Sequence, residues 1–294
     1  MQTQRLANPR ELIQQGRISI GNDPTSKRIC ELLLSELLSV GRTALYLGEK
    51  NVSEEISDQF FKLIEGIKEG EPIQYLLGKA PFMADSFKVT PACFIPRPDT
   101  ELLVEACLDY FQGREKRNKR ESSLLFIDLG TGSGCIAISL TKRLSRSKIL
   151  AIDLLEDALE VARQNGRSHG VSERIFWICG DLFSPLRRGT EVDAVVANPP
   201  YIPSEEMCYL PLLVRREPRI SLEGGEAGLH YYRRIAEESS SFIKEGGFLF
   251  LEIGEGQAAP IEAIFLKKSL RLVEVRKDIL ETPRVMIFGK GLHG

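Results

Sequence analysis

Beyond residue 123 the chain alternates near-continuous apolar runs with amphipathic helical patterns, and this alternation constrains the fold more than any other feature of the sequence. The predicted strands are Leu124 to Leu129, Lys148 to Asp153, Ile175 to Cys179, Val192 to Ala197, Gly247 to Ile253, Leu270 to Arg276 and Val285 to Gly289. Helical spacing fills most of the gaps, at 135–144, 156–168, 227–244 and 256–267. Apolar strands without polar alternation are covered on both faces, and strands joined through helices pair in parallel. The expected architecture is α/β, with a mostly parallel seven-stranded sheet. Chemistry in such a sheet belongs at the carboxyl ends of the strands.

Residues 1–80 follow a helical period instead. Asp23-Pro24-Thr25-Ser26 is a capping stretch ahead of Ile29, Leu32, Leu33, Leu37 and Leu38. Ser53 with Glu54 and Glu55 opens a second helix whose apolar face is Ile56, Phe60, Leu63, Ile64 and Ile67. These faces need partners, which predicts a small helical bundle. Between Gly78 and Pro98 short alternating runs broken by Pro81, Pro91, Pro96 and Pro98 read as a hairpin joining two domains. The expected division is a bundle at 1–80, a β-hairpin linker at 81–98 and a catalytic domain at 99–294. Asp99-Thr100-Glu101 is read as the cap of the first helix of that last domain.

The strand at 192–197 runs into Asn198-Pro199-Pro200-Tyr201. Asn offers a side-chain carbonyl, and each proline keeps its carbonyl while losing its N–H, so the turn is rich in acceptors and poor in donors. It suits a substrate that presents an NH2 group. Two fixed φ angles reduce the entropy lost on aiming those acceptors, and Tyr201 adds a planar face.

Neighbouring strand ends carry a second set of groups. Asp128-Leu129-Gly130-Thr131-Gly132-Ser133-Gly134 follows the first strand and leads into a helix, where glycines allow close approach of a ligand and the helix N-terminus supplies N–H donors. Asp153 ends the second strand, a little over 20 residues past the first glycine, where an acid accepts from ribose hydroxyls. NAD would fit this much equally well. The third strand ends in Gly180-Asp181-Leu182-Phe183. Asp181 can accept from an adenine amino group, and Phe183 can stack on or pack against the ring.

Composition narrows the field by exclusion. With 39 Lys and Arg against 41 Asp and Glu, the net charge is −2, and no broad basic surface announces a nucleic-acid or membrane binder. The basic run Arg114–Glu121 reads as a solvated loop. Six scattered cysteines, without a C-x-x-C pair or a nearby histidine cluster, predict reduced thiols and no metal site. No signal peptide and no membrane span is legible, so the expectation is a soluble, cytoplasmic protein.

Taken together, these motifs resemble the class I, Rossmann-like fold of S-adenosylmethionine-dependent methyltransferases. In more detail the chain resembles the release-factor glutamine methyltransferases, which are protein-(glutamine-N5) methyltransferases. The likeness rests on Pro72–Gly78, Ile95–Glu101, Asp128–Gly134 and Asn198–Ile202, with support from Glu217-Pro218, Gly224-Gly225, Gly228-Leu229, Leu251–Gly254 and Gln257. The resemblance implies that S-adenosylmethionine is held by Gly130, Thr131, Gly132, Ser133, Gly134, Asp153, Phe183 and Asn198, to which the reading of the third strand end adds Asp181. It implies that Asn198, Pro199, Pro200 and Tyr201 hold the substrate glutamine, which belongs to the Gly-Gly-Gln loop of peptide-chain release factors. Asn198, Pro199 and Tyr201 would be the catalytic set. Two departures stand out. Phe183 is where many members carry tryptophan, and Ala84 is where a glycine is usual in the hairpin turn.

The rival reading is an adenine-N6 or cytosine-N4 methyltransferase acting on a flipped base of DNA or RNA. Its need for a basic surface is not met by the charge distribution. Arg97 could reach the cofactor, a partner backbone, or an acid such as Glu217. The bundle is either a partner-recognition domain or a stabilising cap.

Overall fold

The computed structural model describes residues 8–47, 51–117 and 123–291, and of residues 114–117 the backbone alone. Residues 118–121, the second half of the basic run, and His293 thus lie outside the described residues. The chain divides into two compact units, one of Met1–Gly78 with Leu212–Arg216, the other of Lys79–Pro211 with Glu217–Gly294.

The first unit is helical: α1 (Pro9–Ile20), α2 (Pro24–Leu37), α3 (Ala44–Leu47), α4 (Glu54–Lys68) and α5 (Ile73–Leu77). Asp23 caps α2 by accepting from the Ser26 N–H at 2.8 Å, and Ser53 caps α4 by accepting from Ile56 at 3.3 Å. Leu12, Ile13, Leu33, Leu34, Phe60 and Ile64 form its core. Each such side chain contributes roughly 1.5–3 kcal/mol on full burial.

The second unit opens with a two-stranded hairpin, β1 (Lys79–Phe82) and β2 (Asp85–Lys88). Met83 and Ala84 at its tip both take left-handed backbones, with φ of 52° and 65°. Ala84 therefore carries the strain a glycine would avoid. The turn is clamped by Glu101 Oε1, which accepts from the Met83 N–H at 2.7 Å, and by Arg143, which donates to the Met83 carbonyl at 2.7 Å. Phe94 and Ile95 extend no strand.

Beyond the hairpin the second unit has α6 (Pro98–Arg117), β3 (Leu124–Leu129), α7 (Cys135–Arg143), β4 (Ser147–Asp153), α8 (Glu156–Ser168), β5 (Ile175–Cys179) and β6 (Val192–Ala197); the chain then contributes α9 (Leu212–Arg215) to the first unit and returns with α10 (His230–Phe242), β7 (Ile243–Glu252), α11 (Ala258–Phe265), β8 (Leu270–Lys277) and β9 (Pro283–Lys290). The sheet order is β5-β4-β3-β6-β7-β9-β8, with β9 antiparallel to both its neighbours and the remaining pairs parallel. Successive residues alternate between faces. Phe126, Ala194, Val196 and Phe250 pack with α6 and α7, whereas Ile127, Val195, Ala197 and Leu251 pack with α10 and α11.

One local expectation needs correction. Helix α6 starts at Pro98, so Asp99, Thr100 and Glu101 lie inside its first turn and do not precede it. Proline fits there because the first helical N–H has no partner to lose. That frees Thr100 and Glu101 for contacts elsewhere.

Candidate active site

Four adjacent parallel strands, β5, β4, β3 and β6, end at one edge of the sheet, each running into a polar turn. After β3, Gly130, Gly132 and Gly134 all have positive φ, at 70°, 55° and 81°. The loop is anchored by the Gly130 and Thr131 N–H groups, which both donate to the Ile152 carbonyl at 2.8 and 2.9 Å. The three glycines serve two purposes. A Cβ on Gly134 would lie 3.1 Å from Ala162 and Trp177, so that glycine lets α7 close on the helix and strand beneath it. A Cβ on Gly130 would meet nothing within 4 Å, and one on Gly132 would meet only the Gly130 carbonyl at 4.0 Å. Those two positions face open space, as a ligand cradle requires.

Asp153 at the end of β4 is half-buried beside this space. Its Oδ2 accepts from the Gly132 N–H at 2.8 Å and its Oδ1 from Leu155 at 2.9 Å. Burial raises its pKa, against the backbone donors that favour the anion. Asp181, past β5, pairs through Oδ2 with Arg234 of α10 at 2.8 Å. Phe183 is 1% exposed and stacks on Phe242 with ring centroids 4.9 Å apart and planes 8° from parallel, so one face of the ring is taken by α10. Burying an aromatic ring in the α10 layer outweighs presenting it at the rim.

Two residues that the sequence reading left unassigned hold the cradle. Asp128 is buried, with Oδ2 accepting from the Thr131 hydroxyl at 2.6 Å and the Ala137 N–H at 3.2 Å, and its Oδ1 has no partner. Burial pushes its pKa up to about 7 despite those two donors. Asn165 of α8 donates to the Ser133 carbonyl at 2.9 Å and exchanges hydrogen bonds with the Lys88 backbone, tying the glycine loop to β2.

The turn after β6 holds Asn198, half-buried, then Pro199, buried, and Pro200 and Tyr201, half-buried. The Asn198 Nδ2 donates to Thr100 Oγ1 at 3.0 Å. Its amide also lies against the buried carboxyl of Glu252, at the end of β7, where it acts with Thr100 to favour the carboxylate. The amide hydrogens are thus directed inward, which leaves Oδ1 as the polar atom to offer. Among the described residues, the Pro199 carbonyl accepts no hydrogen bond. Behind the turn, Ile202 donates to Leu222 at 2.9 Å and accepts from Gly224 at 2.7 Å, while Gln257 Nε2 donates to the Tyr201 carbonyl at 3.0 Å. Burial pushes the Tyr201 hydroxyl up to about 12.

Arg97 forms an ion pair with Glu217 and lies over the Phe94 ring. The other oxygen of Glu217 accepts from the Ile95 N–H at 3.1 Å, so the pair braces the segment leading into α6. His169 contacts the Ser86 carbonyl at 3.1 Å, on the hairpin, and His230 opens α10. Among the described residues no His, Cys, Asp and Glu cluster could hold a metal ion, and no helix is long and apolar enough to cross a membrane. The signal that could have revealed Glu252 is an acid closing an otherwise apolar strand, and for Thr100 it is a hydroxyl beside the Pro-Arg-Pro segment.

A sheet of this order, with a glycine cradle after its first strand and an acid after its second, defines a class I methyltransferase. A methyltransferase from Pyrococcus furiosus shares the fold, with a TM-score of 0.53 over 78% of this chain and 98% of that one at 17% identity. Residues 11–78 match the PrmC N-terminal domain family, and residues 115–210 match the methyltransferase small domain family. The release factor glutamine methyltransferase of Moorella thermoacetica is 39% identical over 247 residues, covering 84% of each chain. That of Aquifex aeolicus is 36% identical over 263 residues, covering 89% of this chain and 90% of its own. The chain belongs to the release factor glutamine methyltransferase family.

The cofactor of the fold is S-adenosylmethionine, and the residues present fit it. The space before Gly130 and Gly132 is clear of side chains, and a half-buried carboxylate stands beside it.

Proposed function

We infer that this protein transfers a methyl group from S-adenosylmethionine to the side-chain amide nitrogen, N5, of the glutamine in the Gly-Gly-Gln loop of peptide-chain release factors. The observation that carries this reading is the orientation of Asn198, whose Nδ2 is engaged by Thr100 so that its carbonyl oxygen remains to accept. Family membership supplies the substrate class.

An amide nitrogen is a poor nucleophile because its lone pair is delocalised into the carbonyl. S-adenosylmethionine, when bound, supplies a methyl group activated by its sulfonium. The work left to the chain is to localise the lone pair and aim it. Asn198 Oδ1 and the Pro199 carbonyl each accept one hydrogen of the substrate NH2, which fixes the amide plane and the direction of the lone pair. Tyr201 packs against the glutamine side chain. Its hydroxyl, held near 12, stays protonated at neutral pH and is no base. No strong base is required, because methyl transfer leaves neutral thioether and an N-protonated amide cation, which is strongly acidic and gives its proton to water as or after the bond forms.

Gly130 to Gly134 and Asp153 bind the cofactor, with Asp153 on the ribose hydroxyls and Asp181 on the adenine amino group. The helical bundle recognises the partner protein, since one glutamine in a loop gives the active site little surface for discrimination. The protein acts in the cytoplasm and makes no direct contact with nucleic acid.

The test is incubation with labelled S-adenosylmethionine and a purified release factor, comparing Gly-Gly-Gln with a Gly-Gly-Glu variant. Label on the first alone is expected. Label on both, or on neither, overturns the assignment.

A further inference from the structure

Glu252 is the last residue of β7 and the only charged one in a run that begins at Phe248. It is 1% exposed, and its Oε2 is buried without a hydrogen-bond partner. A buried carboxyl left in this state costs stability, so its persistence beside the catalytic turn calls for a reason. Its neighbours supply one. Thr100, 2% exposed, accepts from Asn198 Nδ2 at 3.0 Å through its hydroxyl oxygen. A hydroxyl that accepts from one side has its own proton to direct elsewhere. The adjacent carboxyl is Glu252, which both Thr100 and Asn198 stabilise as an anion.

We propose that Glu252 is a positioning residue that, through Thr100, fixes which face of the Asn198 amide is presented to the substrate. The proposal rests on the methyl-transfer reading above and adds to it the group that sets the direction of the acceptor. A side-chain amide is nearly symmetric in shape, and a half-turn about its last bond exchanges oxygen for NH2. Partners alone decide between the two orientations. With Glu252 ionised, donation runs one way, from the Asn198 NH2 to Thr100 and from Thr100 to the carboxylate, and the amide oxygen faces the substrate. With Glu252 protonated, the acid becomes a donor and the relay can reverse. Thr100 then donates to the Asn198 oxygen, and the NH2 swings out to meet the NH2 of the incoming glutamine. Two donors facing each other exclude the productive complex.

The charged and titratable groups around Glu252 come from four elements. Asp99 of α6 opposes its ionisation and Arg284 of β9 favours it; Tyr201 of the catalytic turn is coupled to it, and Tyr232 of α10 donates to its backbone carbonyl at 2.9 Å. Burial is the largest influence and pushes the carboxyl up to about 7, so the switch between orientations falls close to neutral pH.

The experiment measures methyl transfer to a purified release factor between pH 5.5 and 9 for the wild type and for Glu252→Gln, with cofactor affinity determined by calorimetry. The wild type is expected to lose turnover below a midpoint near 7. In Glu252→Gln, kcat at pH 8 should fall at least tenfold, with the cofactor Kd and the release-factor KM within about threefold, and the acid limb should vanish. An unchanged kcat, or an acid limb that survives the substitution, overturns the proposal while leaving the methyl-transfer reading intact. If the wild type itself fails to methylate a release factor, that reading fails separately. The proposal is then judged by NMR on 15N-labelled protein. The Asn198 side-chain NH2 signal, assigned by its loss in Asn198→Ala, should shift with pH through a midpoint near 7 in the wild type and stay fixed in Glu252→Gln; a signal insensitive to pH in the wild type refutes the relay. Should Glu252→Gln fail to fold, Thr100→Val breaks the same relay one link earlier, and its kcat at pH 8 should fall at least tenfold with the cofactor Kd within about threefold; an unchanged kcat overturns the proposal.

Discussion

Gln257 donates from Nε2 to the main-chain carbonyl of Tyr201 at 3.0 Å, while its Oε1 accepts from the Gly254 N–H at 3.0 Å. One side chain thus locks the backbone of the catalytic turn to the end of the neighbouring strand. Gly228 is packed into the same junction, where an added Cβ would lie 2.0 Å from the Tyr201 carbonyl oxygen and 2.5 Å from Gln257 Nε2. The turn is therefore held by main-chain contacts from behind, which leaves its side chains and the Pro199 carbonyl to face the substrate.

Gly228→Ala should displace the catalytic turn, because φ at this position is +68° and the added methyl overlaps main-chain atoms that cannot yield. The expected outcome is a loss of at least tenfold in kcat with the cofactor Kd close to normal. Gly130→Ala makes the informative contrast. It meets no protein atom within 4 Å, so beyond a backbone strain of about 1 kcal/mol its methyl intrudes only on the cradle. Calorimetry should find weakened cofactor binding in Gly130→Ala and not in Gly228→Ala.

Asn198→Ala removes the aimed acceptor and should lower kcat by about 10²–10³-fold, the usual cost of deleting one oriented polar partner of a transition state. Cofactor affinity should be only partly weakened. Near-normal turnover would remove Asn198 from the catalytic set.

The strand ends that carry these groups were legible because each follows an apolar run that stops abruptly at glycine, acid or proline. Strands β3, β5 and β6 have the bounds the pattern predicts, whereas β7 begins four residues early, at Ile243. Its first part contains Lys244, Glu245 and Gly246, and pairing slips between Val192 and Ala194, so no alternation marks it. The side-chain contacts of the site were far less legible. Thr100 reaches Asn198 across 98 positions, and Ile95 and Arg97 reach Glu217 across 122 and 120. Hydrophobic period reports which face of an element is buried and nothing about which distant polar groups meet. The placement of Phe183 was illegible for a related reason: an aromatic ring after a strand end can serve a ligand or the apolar face of α10, and only the structure shows its stack on Phe242.

Asp153→Ala should raise the cofactor Kd by about 10–100-fold, as expected for loss of a charged hydrogen-bonding partner. It should leave kcat at saturating cofactor within a fewfold of normal. Because Asp153 also accepts from the Gly132 and Leu155 N–H groups, thermal unfolding should be measured alongside. A change in kcat alone, at unchanged Kd, would contradict its assignment to the ribose.

Asp128 allows a prediction about stability whose sign is fixed by its environment. Burial raises its carboxyl to about 7 in the folded protein, above the ordinary carboxylate range, so the fold favours the protonated form. Its contribution to stability is complete below that ordinary range and is lost as pH rises through about 7. Between pH 5.5 and 8.5 the loss should amount to about 2 kcal/mol, from roughly 1.4 kcal/mol per unit of pH over the part of that window below the folded pKa. Asn at this position cannot titrate and keeps an oxygen for the Thr131 hydroxyl and the Ala137 N–H. The Tm of Asp128→Asn relative to wild type should therefore rise as the pH is raised from 5.5 to 8.5. Glu252 is buried and shifted in the same direction, so both proteins should still lose some stability across this interval, and the difference between their melting curves isolates Asp128. A difference in Tm that stays constant with pH would mean that Asp128 is not the titrating group.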